Sequence, residues 1–386
     1  MKILVVCPYD IDRPGGVQRH ILDTGAALAE LGHDVTLLAP LTATPPMAPP
    51  PGVAIERLGR SRVIGLGGTR FEISLPLGAE RRRLRTLMQT GGFDIACFHT
   101  AWTPFLAPLA LKYFPGPAIA MFHDTPGDGA VGRIMSALFR RISKMLLPRF
   151  EAILTPSKSP QGHLVAAPGQ RMEVFPPCTD LRRFRQSPSQ PGFTGGPLNI
   201  LYLGRLEPRK GARILLQAYR QLCETVPGVR LIVAGAGPEE QALRAYAADL
   251  PDAVFVGAPA DAAPWFAAAD IFCAPSPYGE SFGIVIAEAM SAGKPVVAAA
   301  NPGYRTVLTD EAARFLVPPG DVPALADALR TLVQDSNLRA RLGAWGRATA
   351  PSYDCRTRAP SLVEIFRDAI IAHRLKAGRL KARSAT

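Results

Sequence analysis

Short runs of apolar residues alternate along the chain with longer segments that have helical periodicity. The first run, ILVVC, precedes a predicted helix from about Val17 to Leu31, which the run VTLLA follows. The strand-like runs DIACF, AIAMF, AILT and MEVF complete the first half, and NILYL, VRLIVAG, AVFVG, IFCA, PVVAA and RFLV occupy the second half. This alternation predicts parallel sheets with helices on both faces, and ligand sites at the carboxyl ends of the strands.

A polar segment rich in Pro and Gly separates the two series of strands. It is LRRFRQSPSQPGFTGGP, residues 181–197. At 386 residues the chain is also too long for one ordinary core. We therefore predict an α/β protein with two doubly wound domains and a cleft between them, over residues 1–190 and 191–359. A C-terminal helix over about 360–386 is expected to pack back on the first domain.

The charge balance indicates an anionic partner. Forty-four Lys and Arg residues against 32 Asp and Glu residues give a formal net charge of +12, which suits a nucleotide, a nucleic acid or an anionic lipid. Nucleic acid is the weakest of these, because no recognised binding motif is present and aromatic residues make up only 7%. No apolar run approaches membrane-spanning length, the N-terminus lacks signal-peptide features and the cysteines have no paired spacing, so we expect a cytoplasmic location.

The segment SPYGESFGIVIAEAMSAGK, residues 276–294, predicts a loop that leads from a strand into a helix. Backbone amides at such a helix start bind phosphate readily. The amides concerned are those of Ser281, Phe282, Gly283 and Ile284. Glu280 and Glu288 are then placed to accept hydrogen bonds from hydroxyls on either side of a diphosphate, as in a nucleotide-sugar. On spacing alone, a solvated loop carboxylate and a helix-surface glutamate explain the pattern equally well.

A second candidate phosphate-binding element is LYLGRLEPRKGARILLQAY, residues 201–219. Arg205 projects from the end of a strand, and Lys210 lies at or near the start of the next helix. Two fixed cations suit a diphosphate, and Arg can chelate its oxygens bidentately, although exposure on the surface is the commoner fate of both residue types. Because both elements are strand-to-helix loops of one predicted sheet, we expect them to converge.

The first domain carries its own candidates at strand ends. Gly15 and Gly16 open a helix after the first strand and can offer amides to a phosphate, although a Gly-Gly pair is weak evidence by itself. His123 and Asp124 follow the run AIAMF, and for His123 a structural role and contact with a ligand are equally good hypotheses. No Asp-x-Asp metal motif precedes a suitable loop, so we predict no essential metal and no cofactor.

In these motifs the chain resembles the retaining glycosyltransferases of family 4, which have the GT-B fold of two Rossmann-like domains. GESFGIVIAEAM matches the E-x7-E element of that family. GGVQRH, FHDT, LGRLEPRKG and AADIFCAP fall in the same order as the corresponding family elements. Within the family, the chain is most similar to bacterial phosphatidyl-myo-inositol mannosyltransferases, and the resemblance covers essentially all of it.

The resemblance also implies roles for individual residues. Gly16 approaches the donor phosphate, and His123 touches the donor sugar. The two cations of residues 201–219 hold the diphosphate. Glu280 contacts the sugar, whereas Glu288 contacts the ribose.

Two basic segments of the first domain predict contact with an anionic membrane. One contains four arginines, at a place where the similar mannosyltransferases carry a basic cluster: Arg81, Arg82, Arg83 and Arg85. The other, residues 131–150, has apolar residues at helical spacing and basic residues mostly on the opposite side. For this second segment, packing of the apolar face on the protein's own sheet explains the pattern as well as membrane contact does.

We therefore predict a retaining hexosyltransferase that moves mannose or another hexose from a nucleotide-diphosphate sugar to a membrane lipid or lipid-linked acceptor, as a peripheral protein on the inner face of the cell membrane. Catalysis rests on cations and amides that stabilise the departing diphosphate, with His123 and Glu280 at the sugar. The nearest alternative is a glycosyltransferase of capsule, exopolysaccharide or other glycolipid synthesis, and remote ones are a nucleotide-sugar epimerase and a non-catalytic nucleotide-sugar-binding protein. Asp124 stands where those mannosyltransferases carry Thr, and CFHTAWTPF also departs from their pattern, so the base, the sugar and the acceptor stay open.

Overall fold

The computed structural model of the protein describes residues 1–13, 15–42, 46–66, 69–123 and 130–384. They form two compact units, one made of Met1–Thr179 with the chain from Cys355 onward, the other of Asp180–Asp354. The division lies before the predicted boundary at residue 190, because Leu181 and Phe184 are buried in the core of the second unit.

The first unit is built on a sheet whose strands follow the predicted apolar runs, with two additions. Its described strands are β1 (Lys2–Val6), β2 (Asp34–Leu41), β3 (Val53–Leu66), β4 (Thr69–Leu75), β5 (Ile95–His99), β6 (Ala118–Met121), β7 (Ala152–Thr155) and β8 (Arg171–Val174). The order is β4-β3-β2-β1-β5-β6-β7-β8. Every neighbouring pair is parallel except β3 and β4, which are antiparallel at the sheet edge. The first helices of this unit are α1 (Gly16–Glu30), α2 (Gly78–Thr90), α3 (Leu106–Tyr113) and α4 (Ala130–Leu146).

The second unit has an all-parallel sheet in the order β11-β10-β9-β12-β13-β14. Its strands are β9 (Leu198–Leu203), β10 (Val229–Ala234), β11 (Ala253–Gly257), β12 (Ile271–Ala274), β13 (Val296–Ala299) and β14 (Leu316–Val317). Its helices are α5 (Arg182–Gln186), α6 (Ala212–Cys223), α7 (Glu240–Tyr246), α8 (Ala263–Ala268), α9 (Ile284–Ser291), α10 (Val322–Gln334) and α11 (Ser336–Thr349). Both units are Rossmann-like α/β domains, as predicted.

The last helix, α12 (Cys355–Ser384), returns to the first unit. Its residues Leu362 and Phe366 are buried in the same core cluster as Ile21 and Leu28 of α1. Among the described residues, no helix combines the length and the apolarity that crossing a bilayer requires.

Candidate functional site

The strand order of the second sheet reverses between β9 and β12. From this point β10 and β11 lie on one side, and β13 and β14 on the other. In open parallel sheets, ligands bind at the carboxyl ends of the strands where the order reverses. The loops that leave β9 and β12 are the two predicted phosphate-binding elements, so the sheet brings them together.

The loop after β9 positions the predicted cations. Arg205 is exposed, and its Nη2 lies 3.1 Å from Oε1 of Glu207. Pro208–Lys210 form one 3₁₀ turn, which ends at Gly211 in the left-handed region with φ 72°. A Cβ atom on Gly211 would lie 2.3 Å from the carbonyl oxygen of Pro275. The two loops therefore touch through their backbones, and only glycine allows this approach.

The carboxylate of Glu280 contacts two cations of that loop. Its Oε1 accepts a close hydrogen bond from Nζ of Lys210 and lies 3.9 Å from Nη1 of Arg209. Arg209 also contacts Glu207, with 2.5 Å between its Nε and Oε1 of that residue. Only 11% of the Glu280 side chain is exposed, so solvent screens these charges less than those of a surface pair. The cation predicted to hold a diphosphate and the carboxylate predicted to contact a sugar thus form an ion pair with each other.

The start of α9 has the geometry of an anion-binding helix terminus. Gly283 is the residue before the helix and has φ 101°. A Cβ atom there would lie 2.6 Å from the ring of Tyr304, so the position requires glycine. The predicted amides, those of Ser281, Phe282, Gly283 and Ile284, lie at this helix start. The first amides of a helix have no intrahelical acceptor and point at whatever anion approaches.

The loop after β13 supports the segment that contains Glu280. A Cβ atom on Gly303 would lie 2.5 Å from the carbonyl oxygen of Glu280. Asn301 Nδ2 donates to the carbonyl of Ser276 over 3.0 Å, and the hydroxyls of Tyr304 and Ser276 are 3.0 Å apart. The loop after β12 is therefore held on one side by backbone contact and by buried hydrogen bonds.

The structure places Glu280 and Glu288 on either side of the start of α9, as their spacing predicts. Glu288 lies in the second turn of the helix and is only 8% exposed. The alternative of two solvated surface carboxylates is therefore wrong for both residues. A buried carboxylate costs free energy unless polar groups or cations surround it, and such an arrangement is common at functional sites.

In the first unit, the strand order reverses between β1 and β5. Gly15 and Gly16 lie exposed at the start of α1, directly after the loop that leaves β1. His123 follows β6 and is 8% exposed. Asp124, the residue that follows it, lies outside the described part of the chain.

His123 belongs to a cluster of three buried histidines. Nδ1 of His99, the last residue of β5, lies 2.9 Å from Nε2 of His123, and the two rings are coplanar within 3°. His20 of α1 presents its ring edge-on to both. Burial lowers the pKa of all three histidines, and for His99 and His123 it lowers the pKa well below 6.5. The cluster is therefore neutral at pH 7.

The geometry of this cluster favours a hydrogen-bonded pair over a metal site. The nearest ring nitrogens of the three side chains lie within 4.8 Å of one another. A metal ion requires lone pairs that converge on one point about 2.0–2.1 Å from each nitrogen. The facing nitrogens of His99 and His123 instead point at each other along a hydrogen bond.

The predicted membrane-binding arginines lie on α2 and are exposed: Arg81, Arg82, Arg83 and Arg85. Three of them contact the protein itself. Nε of Arg81 donates to the hydroxyl of Tyr113 over 2.9 Å, Arg83 pairs with Glu56 over 2.5 Å, and Nε of Arg85 donates to Oε1 of Gln89 over 3.3 Å. These contacts are solvent-exposed, so they hold the side chains only weakly.

The second basic segment forms α4. Some residues of its predicted apolar face are packed on the protein, and others are exposed to solvent. Ile142 and Leu146 pack against the core of the first unit. Ile134, Leu138 and Met145 are instead exposed by 69%, 46% and 79%. Internal packing therefore explains only part of the apolar pattern.

Sequence reasoning missed His99, Arg209 and Gly303. A signal for His99 exists in the sequence. Strand β5 ends in Cys-Phe-His, and strand β6 ends at Met121 and is followed directly by Phe-His. Arg209 and Gly303 carry no comparable signal. Their contacts with Glu280 arise only when the loops after β9, β12 and β13 meet.

Family models match nearly the whole chain in two parts. The model described as Glycosyltransferase Family 4 matches residues 14–183, and the model described as Glycosyl transferases group 1 matches residues 184–349.

Known proteins are similar over the same span. The phosphatidyl-myo-inositol mannosyltransferase of Mycobacterium leprae is 34% identical over 95% of this chain and 96% of its own length. The protein of that name from Mycolicibacterium smegmatis is 33% identical over 95% and 93%. The crystal structure of Anabaena HepE with UDP and glucose aligns with a TM-score of 0.75 at 21% identity, over 95% of this chain and 100% of that one. The protein is therefore a glycosyltransferase that belongs to family 4 and has the GT-B fold.

Proposed function

We propose that the protein transfers a hexose from a nucleotide-diphosphate sugar to the inositol ring of a membrane phospholipid, with retention of anomeric configuration. The observation that carries the proposal is the group of cations, helix amides and carboxylates at the strand-order reversal of the second sheet. The acceptor class is inferred from the names of the mycobacterial relatives.

In this proposal the second unit holds the diphosphate. Arg205, Lys210 and the first amides of α9 bind its oxygens, while Glu288 accepts hydrogen bonds from the ribose. During transfer the bond between the anomeric carbon and the diphosphate breaks, and a bond to the acceptor oxygen forms. The acceptor proton passes to the departing diphosphate. Fixed cations and amides lower the barrier because negative charge develops on the diphosphate as it leaves.

Other residues orient the sugar. We assign Glu280 to a sugar hydroxyl, His123 to a second sugar oxygen, and the amides of Gly15 and Gly16 to the donor phosphate. Neither glutamate acts as a covalent nucleophile in this proposal. Because Arg205 and Lys210 supply positive charge at the diphosphate, transfer needs no divalent metal ion.

We also propose that the first unit contacts the anionic inner face of the cell membrane. The four arginines of α2 are exposed, and Ile134, Leu138 and Met145 form one exposed stripe of α4 at spacings of four and seven residues. Basic residues are exposed beside this stripe: Arg133, Arg140, Arg141 and Lys144. A helix that exposes both kinds of side chain suits the interface of an anionic bilayer.

A transfer assay tests the enzymatic proposal. Purified protein is incubated with labelled GDP-hexoses and UDP-hexoses and with vesicles that contain or lack phosphatidylinositol. We expect label in the lipid fraction with one donor, only when phosphatidylinositol is present. Conversion of the donor without any acceptor would indicate an epimerase. Transfer only to a soluble saccharide would favour the polysaccharide alternative, and donor binding without turnover would indicate a non-catalytic protein.

Cosedimentation with vesicles tests the membrane proposal. Each basic residue near an anionic surface contributes about 1 kcal/mol, so we expect salt-sensitive binding to anionic but not to zwitterionic vesicles. Changing the α2 arginines together to Ser should reduce this binding strongly. Ile134→Ser combined with Met145→Ser should reduce it further, whereas Ile371→Ser with Leu375→Ser, a matched pair exposed on α12, should not. Equal binding of all variants would contradict the proposed surface.

A further inference from the structure

We propose that His99 is a positioning residue that donates a hydrogen bond from its Nδ1 to Nε2 of His123 and thereby fixes the tautomer of His123. His123 then carries its own proton on Nδ1 and offers a hydrogen-bond donor to the sugar. The consequence for catalysis rests on the proposed function, since it requires that His123 contact the donor sugar. The proton arrangement of the two histidines does not depend on the proposed function.

Backbone hydrogen bonds of the sheet place the two rings. His99 pairs in register with Met121, the last residue of β6. The amide of Thr100 donates to the carbonyl of Met121 over 2.8 Å, and the amide of Phe122 donates to the carbonyl of Leu154 over 3.0 Å. These bonds hold the residue that follows His99 and the residue that precedes His123, so the coplanar contact of 2.9 Å follows from the register of β5, β6 and β7.

Two neutral imidazoles can share this contact in only two ways. Each ring carries one N–H, because burial lowers the pKa of both histidines well below 6.5. Either His99 donates and His123 accepts, or the reverse. The two arrangements differ at the far side of each ring. His123 carries a proton on Nδ1 in the first and a bare nitrogen there in the second.

The surroundings of His99 favour the first arrangement. Its other ring nitrogen, Nε2, lies 3.9 Å from the sulfur of Cys97. Burial raises the pKa of Cys97 to about 12, so the thiol keeps its proton and can donate to a bare Nε2. In the reverse arrangement an N–H on Nε2 would face a weak sulfur acceptor, beside a small cavity lined mainly by apolar side chains. A buried N–H without a good acceptor loses the hydrogen bond that it makes to water in the unfolded chain, so this arrangement is the less stable one.

The arrangement gives His123 a defined chemical role. Exposure rises through the cluster, from 0% for His20 and 2% for His99 to 8% for His123, so His123 is the member that a ligand can reach. With its proton on Nδ1 and its Nε2 already bonded, it can donate to a sugar oxygen but cannot act as a base. His99 acts only through His123.

Two-bond ¹H–¹⁵N correlation spectra of the full chain test the proton arrangement directly. The sequence contains six histidines, so single substitutions assign their signals. We expect His123 to show the pattern of a pure Nδ1–H tautomer in the unaltered protein. His99→Phe, which removes every polar atom of the side chain, should give a mixture or the Nε2–H tautomer. His99→Asn, whose amide lies near the former Nδ1, should restore the original pattern. An Nε2–H pattern in the unaltered protein, or a pattern that His99→Phe leaves unchanged, overturns the proposal.

Kinetics of the same variants test the consequence for transfer. For metal-ligating histidines, loss of the group that orients the ring costs about tenfold to 100-fold in activity, and we expect a similar effect for His123. We therefore expect His99→Phe to lower kcat by at least about tenfold, while the Kd of the nucleoside diphosphate stays unchanged because neither His99 nor His123 is among its proposed ligands. His99→Asn should recover most of the rate. A tautomer change without loss of rate contradicts the catalytic part. If the unaltered protein transfers no sugar, the proposed function fails, whereas the spectra still decide the proton arrangement.

Discussion

Because Lys210 and Glu280 form an ion pair, substitutions that remove the charge of one or of the other should have different effects on nucleotide binding. In the structure each residue partly neutralises the other, and Arg209 provides a second cation near the carboxylate. If Lys210 binds the diphosphate, then Glu280 competes with the ligand for the same ammonium group. Lys210→Met and Glu280→Gln should therefore change the affinity for a bare nucleoside diphosphate in different ways, although both break the same pair.

The expected magnitudes follow from the contacts. A hydrogen bond between charged groups contributes about 1.5–3 kcal/mol, and about 1.4 kcal/mol changes an equilibrium constant tenfold. Lys210→Met should therefore raise the Kd of the nucleoside diphosphate by at least about tenfold. Glu280→Gln should leave this Kd unchanged or lower it, because the substitution removes a negative charge beside the diphosphate and a competitor for Lys210. Its transfer rate should nevertheless fall by about 100-fold or more, since a sugar contact is lost in the transition state.

Calorimetry with GDP and UDP, together with initial rates of transfer, measures both effects. Arg220→Met is a suitable control, because Arg220 forms an exposed ion pair with Asp249 elsewhere in the second unit, over 2.7 Å. It should change neither quantity. Equal loss of nucleotide affinity in Lys210→Met and Glu280→Gln would refute the reasoning and would show that the pair serves only to hold the two loops together.

Three further predictions concern the ribose, the supporting loop and the buried histidines. Glu288→Gln should weaken binding of the bare nucleotide in calorimetry, unlike Glu280→Gln, and the same affinity profile for both variants would contradict the separate roles. Gly303→Ala should lower both the Tm and the nucleotide affinity, because the new methyl group would lie 2.5 Å from the carbonyl oxygen of Glu280 and must displace that segment. An unchanged Tm and affinity would show that the segment can move without a cost in free energy. The histidine cluster should make stability depend on pH, because its lowered pKa values let the unfolded chain bind protons first. The contribution of the cluster to the free energy of unfolding is full above about pH 6.5 and is lost as the pH falls towards the folded pKa values, by up to about 1.4 kcal/mol per pH unit for each histidine. In urea unfolding at several pH values, His99→Asn should reduce the slope of this free energy against pH by about one proton. An identical slope would contradict this prediction.

Most of the fold could be predicted from the sequence because the buried parallel strands are continuous apolar runs. Strand β3 could not, since charged and glycine residues interrupt the apolar positions of VAIERLGRSRVIGL and leave no clear period of two. The composition also predicts a linker over residues 181–197, whereas the structure assigns Asp180–Asp354 to the second unit. Its composition is polar, but Leu181 and Phe184 are buried in the second core.

The candidate site could be predicted only where a residue follows a strand end in a recognisable motif. Arg205, Lys210 and Glu280 satisfy that condition, and the two loops that carry them do converge. The ion pair of Lys210 with Glu280 could not be foreseen, because it depends on the left-handed turn at Gly211 and its backbone contact with the neighbouring loop. The partnership of His99 with His123 depends on the register of two strands, which spacing along the chain does not encode.

The anomeric configuration of the transferred sugar tests the central proposal most directly. An α-linked nucleotide-hexose is incubated with the protein and with phosphatidylinositol vesicles, and the linkage of the purified glycolipid is read from its anomeric NMR signals. We predict an α-linked hexose on the inositol ring, formed in the presence of a metal chelator as fast as in its absence. A β-linked product would contradict retention, and the absence of any glycosylated phosphatidylinositol would contradict the proposed reaction.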